Sequence, residues 1–229
     1  MSTTQYTDGK YYQVVRPRSL SERLLIKARD RIYADFLRCC RPSPNDVILD
    51  VGVSDVVTEG ANAIERKYPY PHRITAAGLG VAEDFRAAFP TVRYVQIEPN
   101  KPLGFADKTF DIATSNAVLE HVGSRGHQAL FISEMLRVAR KAFITVPNRY
   151  FPIEHHTAIP FMHFSDFTFM AACDWFDKSE WADESNLILM SKRRLRDLVP
   201  AGVEASVGYT GLVLGRFSSN VFLFVGGQA

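Results

Sequence analysis

The chain is short of cysteine: 229 residues contain three, Cys39, Cys40 and Cys173. An odd count with two neighbours excludes a disulfide framework, and no Cys-x-x-Cys pair suggests a structural zinc site. This usage fits a reducing compartment, so a cytoplasmic location is expected. No apolar run reaches the roughly 18 residues that a membrane span requires. The polar start, Met1-Ser-Thr-Thr-Gln-Tyr-Thr-Asp8, lacks the apolar core of a secretory signal. Excess charge is scarce as well: 27 basic and 25 acidic residues leave a net +2, which implies no obligate nucleic-acid partner. Finally, no Gly-x-Gly-x-x-Gly follows the first strand-like segment, which weighs against a dinucleotide fold and its oxidoreductase chemistry.

What is present is enough for a buried core. Hydrophobic residues make up 46% of the chain and charged residues 23%, the balance of a folded domain rather than a disordered one. Residues 1–45 read as an N-terminal arm and a capping helix. Ser19-Leu-Ser-Glu22 has the spacing of a capping box, and a helix is predicted from there to about Cys40. Leu25, Ile32, Phe36 and Cys39 form its apolar stripe, and Pro42 and Pro44 end it. Between Lys10 and Arg41 stand nine basic and three acidic residues. A basic amphipathic helix is compatible with an anionic membrane surface, but packing on the domain with a solvated basic face is the favoured reading.

From residue 46 strand and helix patterns alternate. Strands are predicted at 47–53, 73–79, 92–97, 110–116 and 141–147. Helices are predicted near 56–67, 82–89 and 126–140. Two last strands, 203–210 and 219–225, follow a short helix capped by Ser191, and their connection is short enough for an antiparallel pair. The alternation calls for a parallel sheet covered on both faces, an α/β architecture spanning 46–229. Residues 149–190 interrupt it with an aromatic-rich insertion without a clear period, more simply a hydrophobic cap than a specific cage.

In such a sheet, ligands bind beyond the C-terminal ends of the strands, where the strand order reverses. Asp50, Val51, Gly52 and Ser54 lie there after the first strand. Gly52 lets backbone approach a ligand closely, and a carboxylate at Asp50 favours an amine-bearing or positively charged ligand over a pyrophosphate.

Ile48-Leu-Asp-Val-Gly52, Leu103-Gly-Phe-Ala-Asp-Lys-Thr-Phe-Asp111, Ser115-Asn-Ala-Val-Leu-Glu-His-Val122, Phe131-Ile-Ser-Glu-Met-Leu-Arg-Val138 and Phe143-Ile-Thr-Val-Pro-Asn148 together resemble the class I S-adenosylmethionine-dependent methyltransferases, in particular the bacterial type 11 group. Arg149 to Thr157 and Asn186 to Val199 extend the resemblance to about residue 200. It implies a Rossmann-like, doubly wound seven-stranded sheet of order 3-2-1-4-5-7-6. It also implies S-adenosylmethionine as methyl donor, with S-adenosylhomocysteine as product, and a small-molecule or glycan- or lipid-linked acceptor. The donor-binding residues it implies are Asp50, Val51, Gly52 and Ser54 after the first strand, Leu79 and Gly80 after the second, Glu98 after the third, and Asn116 and Ala117 after the fourth. Two positions depart from the pattern. Ser54 stands where a second glycine is common, and Gly80 stands where an acidic residue usually holds the ribose hydroxyls. These departures, with Pro99 in the third loop, motivate an alternative: a methyltransferase-like binding or regulatory protein with weakened or lost donor binding.

His121, His155, His156 and Tyr150 are the candidate catalytic side chains. Histidine titrates near working pH and serves as a base when the acceptor must lose a proton. No metal site is expected. A Glu120-His121 pair is far short of a ligand set, and adjacent histidines such as His155 and His156 point apart in regular structure.

Overall fold

A computed structural model describes residues 20–58 and 60–226, with side chains from residue 23 onward. The Ser19 capping box lies outside the described residues. Helix α1 spans Leu20–Cys40, followed by β1 (Ile48–Val51), α2 (Ala63–Lys67), β2 (Ile74–Gly78), α3 (Glu83–Ala88) and β3 (Arg93–Gln96). Then come β4 (Phe110–Asn116), α4 (Arg125–Val138), β5 (Ala139–Pro147), α5 (Asp166–Trp175), α6 (Lys192–Asp197), β6 (Ser206–Thr210) and β7 (Asn220–Val225). The seven strands form one sheet of order β3-β2-β1-β4-β5-β7-β6. The first five are parallel, and β7 runs antiparallel to both β5 and β6. The expected Rossmann-like order is therefore the observed one.

The pleat divides the core into two layers, because successive strand side chains point to opposite faces. Leu49, Val51, Ala113, Ile144 and Leu223 face α4, where Ile132, Met135 and Val138 meet them. Ile48, Ala76, Ile112 and Phe143 face the other way, onto Phe36 and Phe85. Both faces of β1 and β2 are buried, which is why these strands read as continuous apolar runs rather than alternating ones.

Helix α1 closes the second layer. Phe36 is fully buried and meets Phe143 edge-on, with ring centres 5.9 Å apart. The buried residue at the helix end is Cys40, not the predicted Cys39, which is only partly covered. A polar contact fixes the helix in register: buried Asp35 accepts from Thr210 Oγ1 at 2.8 Å on β6 and is flanked by Arg31 and Arg38. No helix among the described residues is long and apolar enough to cross a membrane.

Two predicted stretches differ. The helix expected over 56–67 is reduced to Ala63–Lys67. Asn62 takes a left-handed backbone (φ 52°), and its side chain bridges the Ser54 N–H and C=O at 3.1 and 2.9 Å. Those bonds hold residues 54–58 and 60–62 outside the helix. The aromatic insertion, for which no helix was predicted, contains α5. Phe169 and Cys173 of α5 join Trp181 and Leu187 in a small satellite core. Helix α6 begins at the predicted cap, where Ser191 Oγ accepts from Arg194 N at 3.2 Å. Ser191→Ala is expected to cost about 1 kcal/mol in urea denaturation, the usual worth of such a cap; an unchanged midpoint would remove the cap from the stabilising contacts.

Candidate active site

Three loops converge at the C-terminal edge of the parallel strands. The first follows β1. Gly52 turns there with φ +93°, and a β-carbon on it would stand 2.2 Å from the Val118 side chain. Only glycine therefore lets the β1 and β4 loops close on each other. Ser54, in the place of a second glycine, is accommodated by polar bonds: Asn62 staples its backbone, and its own hydroxyl accepts from Val56 N at 3.0 Å. Asp55 ties the loop to the next crossover, accepting from Phe85 N at 2.8 Å. Neither Asn62 nor Asp55 was marked by sequence reasoning; an Asn eight residues after the loop serine was the only signal.

Behind this loop sits an acidic pair. Asp50, at the end of β1, and Glu65, on α2, are both buried. Neither Glu65 oxygen has a hydrogen-bond partner of normal geometry among the described residues, yet the two carboxyls are close enough to govern each other's protonation. Burial first, and the neighbouring Glu65 second, push the Asp50 carboxyl well above the usual carboxylate range. Burial pushes Glu65 up to about 7.

The second loop departs from the family pattern as the sequence indicates. Gly80 offers only its carbonyl, which accepts from Tyr94 Oη at 2.6 Å, and Leu79 is half exposed. Glu83 and Asp84 lie exposed in the first turn of α3, as helix-start acids do. Glu98 is exposed on the loop after β3. After β4, Asn116 accepts from Thr145 Oγ1 at 2.5 Å, and Ala117, in a left-handed conformation, donates its N–H to Thr145 O at 2.9 Å. Ser115 Oγ donates to Val51 O at 2.8 Å, so the β1 and β4 ends are joined by a side chain as well as by the ladder.

The third element is a histidine pair assembled from distant segments. His121 ends a helical turn, Leu119–His121, just beyond β4, and His156 lies in the loop after β5. Their Nε2 atoms are 3.1 Å apart. His121 Nδ1 donates to Asn186 O at 2.7 Å, and His156 Nδ1 donates to Glu154 Oε1 at 2.9 Å. Glu154 is itself anchored by Thr157 N, Thr157 Oγ1 and His156 N. Burial alone would raise Glu154, but the His156 and Thr157 donors outweigh it and hold the carboxyl down at about 2. Burial works against a charge on His156 too, yet Glu154 prevails and raises it, whereas burial and the facing His156 bring His121 down to about 4. Glu120 is 1% exposed, and neither of its oxygens has a hydrogen-bond partner among the described residues. Burial pushes it up to about 7.

Adjacent histidines do point apart here. The His155 ring packs against Phe151 and lines the same small cavity as Glu154 and His156, and desolvation lowers it to about 4. The Tyr150 ring meets Phe164 edge-on rather than the histidine pair. The structure thus brings together His121 and His156, and leaves His155 and Tyr150 outside that contact. It adds Asn186 and Trp181, whose indole lies 5.1 Å from the His156 ring. Residues 186–190 form the back wall through Ile188 N, which donates to Glu120 O at 2.8 Å. A cavity of about 10 Å3, the room of a single water or ion, is lined by Glu120, Glu154, His156, Asn148 and Met190 among others.

This strand order, with a carboxylate at the end of β1 and a glycine turn after it, is that of the Rossmann-like methyltransferase fold. More particularly, residues 71–143 match the family model of a methyltransferase domain, that of the type 11 group. The chain is similar in structure to the PH0226 protein of Pyrococcus horikoshii OT3, with a TM-score of 0.60, 11% identity and all of both chains covered. It is also similar to magnesium protoporphyrin IX methyltransferase of Synechocystis PCC 6803, solved with bound S-adenosylhomocysteine, with a TM-score of 0.58, 12% identity, and coverage of 98% of this chain and 95% of that one. A third similar structure is a possible histamine N-methyltransferase of Thermotoga maritima, with a TM-score of 0.54, 15% identity, and coverage of 91% and 94%. No curated protein is significantly similar in sequence.

Proposed function

We propose that this protein transfers the methyl group of S-adenosylmethionine to a small-molecule or glycan- or lipid-linked acceptor. The observation that carries the reading is the single sheet edge that holds both halves of the reaction. The β1 and β4 loops supply a glycine turn and a buried carboxyl pair for the donor, and the turn directly after β4 leads to the histidine pair. Asp50 and Gly52 would take the amino-acid end of the donor, and Asn116 and Ala117 would line its reacting end. The sulfonium supplies an activated methyl group. What the chain adds is alignment and a dry setting, which account for much of the acceleration in an in-line displacement. His121, hydrogen-bonded through Nδ1 to Asn186 O, and His156, held by Glu154, would position the acceptor beside the methyl group.

Gly80 favours a second reading, a methyltransferase-like binding or regulatory protein. No carboxylate stands at that position to hold a ribose, and the Gly80 carbonyl is engaged by Tyr94. Thermal denaturation with S-adenosylhomocysteine separates the two. A ligand at 100 times its dissociation constant should stabilise the fold by about 2.7 kcal/mol. Asp50→Ala should abolish that response. No shift at millimolar S-adenosylhomocysteine would sink the enzyme reading and leave the regulatory one.

A further inference from the structure

We propose that Glu120, His121 and His156 form a site for one first-row divalent transition ion, of the zinc(II) kind. One potential ligand atom from each of the three lies within 4.8 Å of the others. The two Nε2 atoms, 3.1 Å apart, are close to the separation of about 3.3 Å that two imidazoles take on one ion with metal–nitrogen bonds of about 2.0–2.1 Å. Each ring is already set for that role. Its Nδ1–H is bound to a fixed acceptor, Asn186 O for His121 and Glu154 Oε1 for His156, and this turns the Nε2 lone pairs toward each other. Two lone pairs at that distance repel unless a proton or a cation lies between them.

Glu120 decides for the cation. Its carboxylate is buried beside the rings, with an oxygen 4.0 Å from His121 Nε2, and neither oxygen meets a hydrogen-bond donor among the described residues. A shared proton would join the histidines and leave the Glu120 carboxyl without a partner among the described residues. A divalent ion satisfies all three groups at once. The supporting shell is in place: Glu154 orients His156 and is itself held by three donors from His156 and Thr157, the outer-shell pattern of metal-bound histidine. Two imidazoles and one carboxylate suit zinc, cobalt, nickel or iron better than magnesium or calcium, which prefer oxygen. Three protein ligands leave a fourth position open, as in catalytic rather than structural sites, and the small cavity beside Glu120 and His156 has room for one atom group there. Resting on the methyl-transfer reading, that position would hold the acceptor's oxygen or nitrogen; ion binding itself does not depend on that reading.

The test uses the full chain, stripped with a chelator. Zinc chloride is titrated by calorimetry, and cobalt(II) chloride is followed by visible absorption. One ion per chain is expected at micromolar affinity or tighter, with the d–d bands of a four- or five-coordinate cobalt. His156→Ala and Glu120→Gln should each lose stoichiometric uptake, Glu154→Gln should weaken it about 10–100-fold, and His72→Ala, on the exposed surface, should leave it intact. Far-ultraviolet dichroism separates lost ligation from lost folding. Failure to take up zinc or cobalt, uptake unchanged in folded His156→Ala, or displacement by equimolar magnesium would each overturn the site. A response to S-adenosylhomocysteine without ion uptake overturns the metal site alone, and ion uptake without that response overturns the donor reading alone.

Discussion

Gly52→Ala is expected to abolish the response to S-adenosylhomocysteine and to lower stability by roughly 2–6 kcal/mol. Two costs add. A β-carbon at this position would stand 2.2 Å from a Val118 methyl, and Val118 cannot simply withdraw because it begins the turn that carries Glu120 and His121. Forced overpacking typically costs 1–3 kcal/mol. The residue also sits at φ +93°, a conformation that side chains disfavour by about 1–3 kcal/mol. Urea denaturation reads the stability, and the thermal response to the product reads the site. Val118→Ala should restore part of the stability of Gly52→Ala by making room for the new methyl. A double mutant no more stable than the sum of its parts would show that the clash is not the cause.

The Asp50–Glu65 pair is expected to contribute stability that falls as pH rises from about 4.5 to 7, against His121 and His155, which burial lowers to about 4 and whose contribution rises between about pH 4 and 6.5. Glu65 titrates near 7 in the fold, because burial disfavours its charge, against an ordinary value of 4.5. Between those values the folded state holds a proton that the unfolded chain has released. The contribution is fully present below about pH 4.5 and is lost as pH rises through about 7. At about 1.4 kcal/mol per pKa unit, the swing is roughly 3 kcal/mol. Glu65→Gln removes the titration and should move the slope of urea midpoint against pH upward between about pH 4.5 and 7; an unchanged slope would assign it to other groups. The same pair predicts a donor effect. A bound ammonium beside Asp50 favours the ionised pair, so donor binding near pH 7 should release protons, visible as a dependence of calorimetric heat on the buffer's ionisation enthalpy.

Much of the frame could be read from residues in order. The apolar runs of β1, β2, β4 and β5, the helix periods between them and the short last connection specify a parallel sheet with an antiparallel finish. The Ser191 cap and Phe36 on the α1 stripe were visible because capping and helical packing are local. The helix expected over 56–67 was curtailed by a side chain eight residues from its partner, Asn62 on Ser54, which propensity does not register. Helix α5 was hidden for a different reason. Its aromatics serve two surfaces, the satellite core and exposed positions such as Phe167 and Trp175, so no single stripe marks it.

The sequence by itself determined the shape of the loop after β1. Asp50 and Gly52 are two residues apart, and the chemistry of a short loop at a strand end is written in a contiguous segment. The absence of an acid at Gly80 is equally local. Only the tertiary structure decided the other half of the site. His121 and His156 stand on different loops, and the acceptors that fix their rings, Asn186 and Glu154, come from the back wall and the β5 loop. Their meeting depends on β4 and β5 lying side by side and on residues 186–190 crossing behind them. Glu120 gains its significance in the same way. In the chain it is one acid beside one histidine; in the fold it is a buried carboxyl without a hydrogen-bond donor among the described residues, facing a pair of imidazoles. Burial and convergence are properties of packing, and packing is not carried by any one segment.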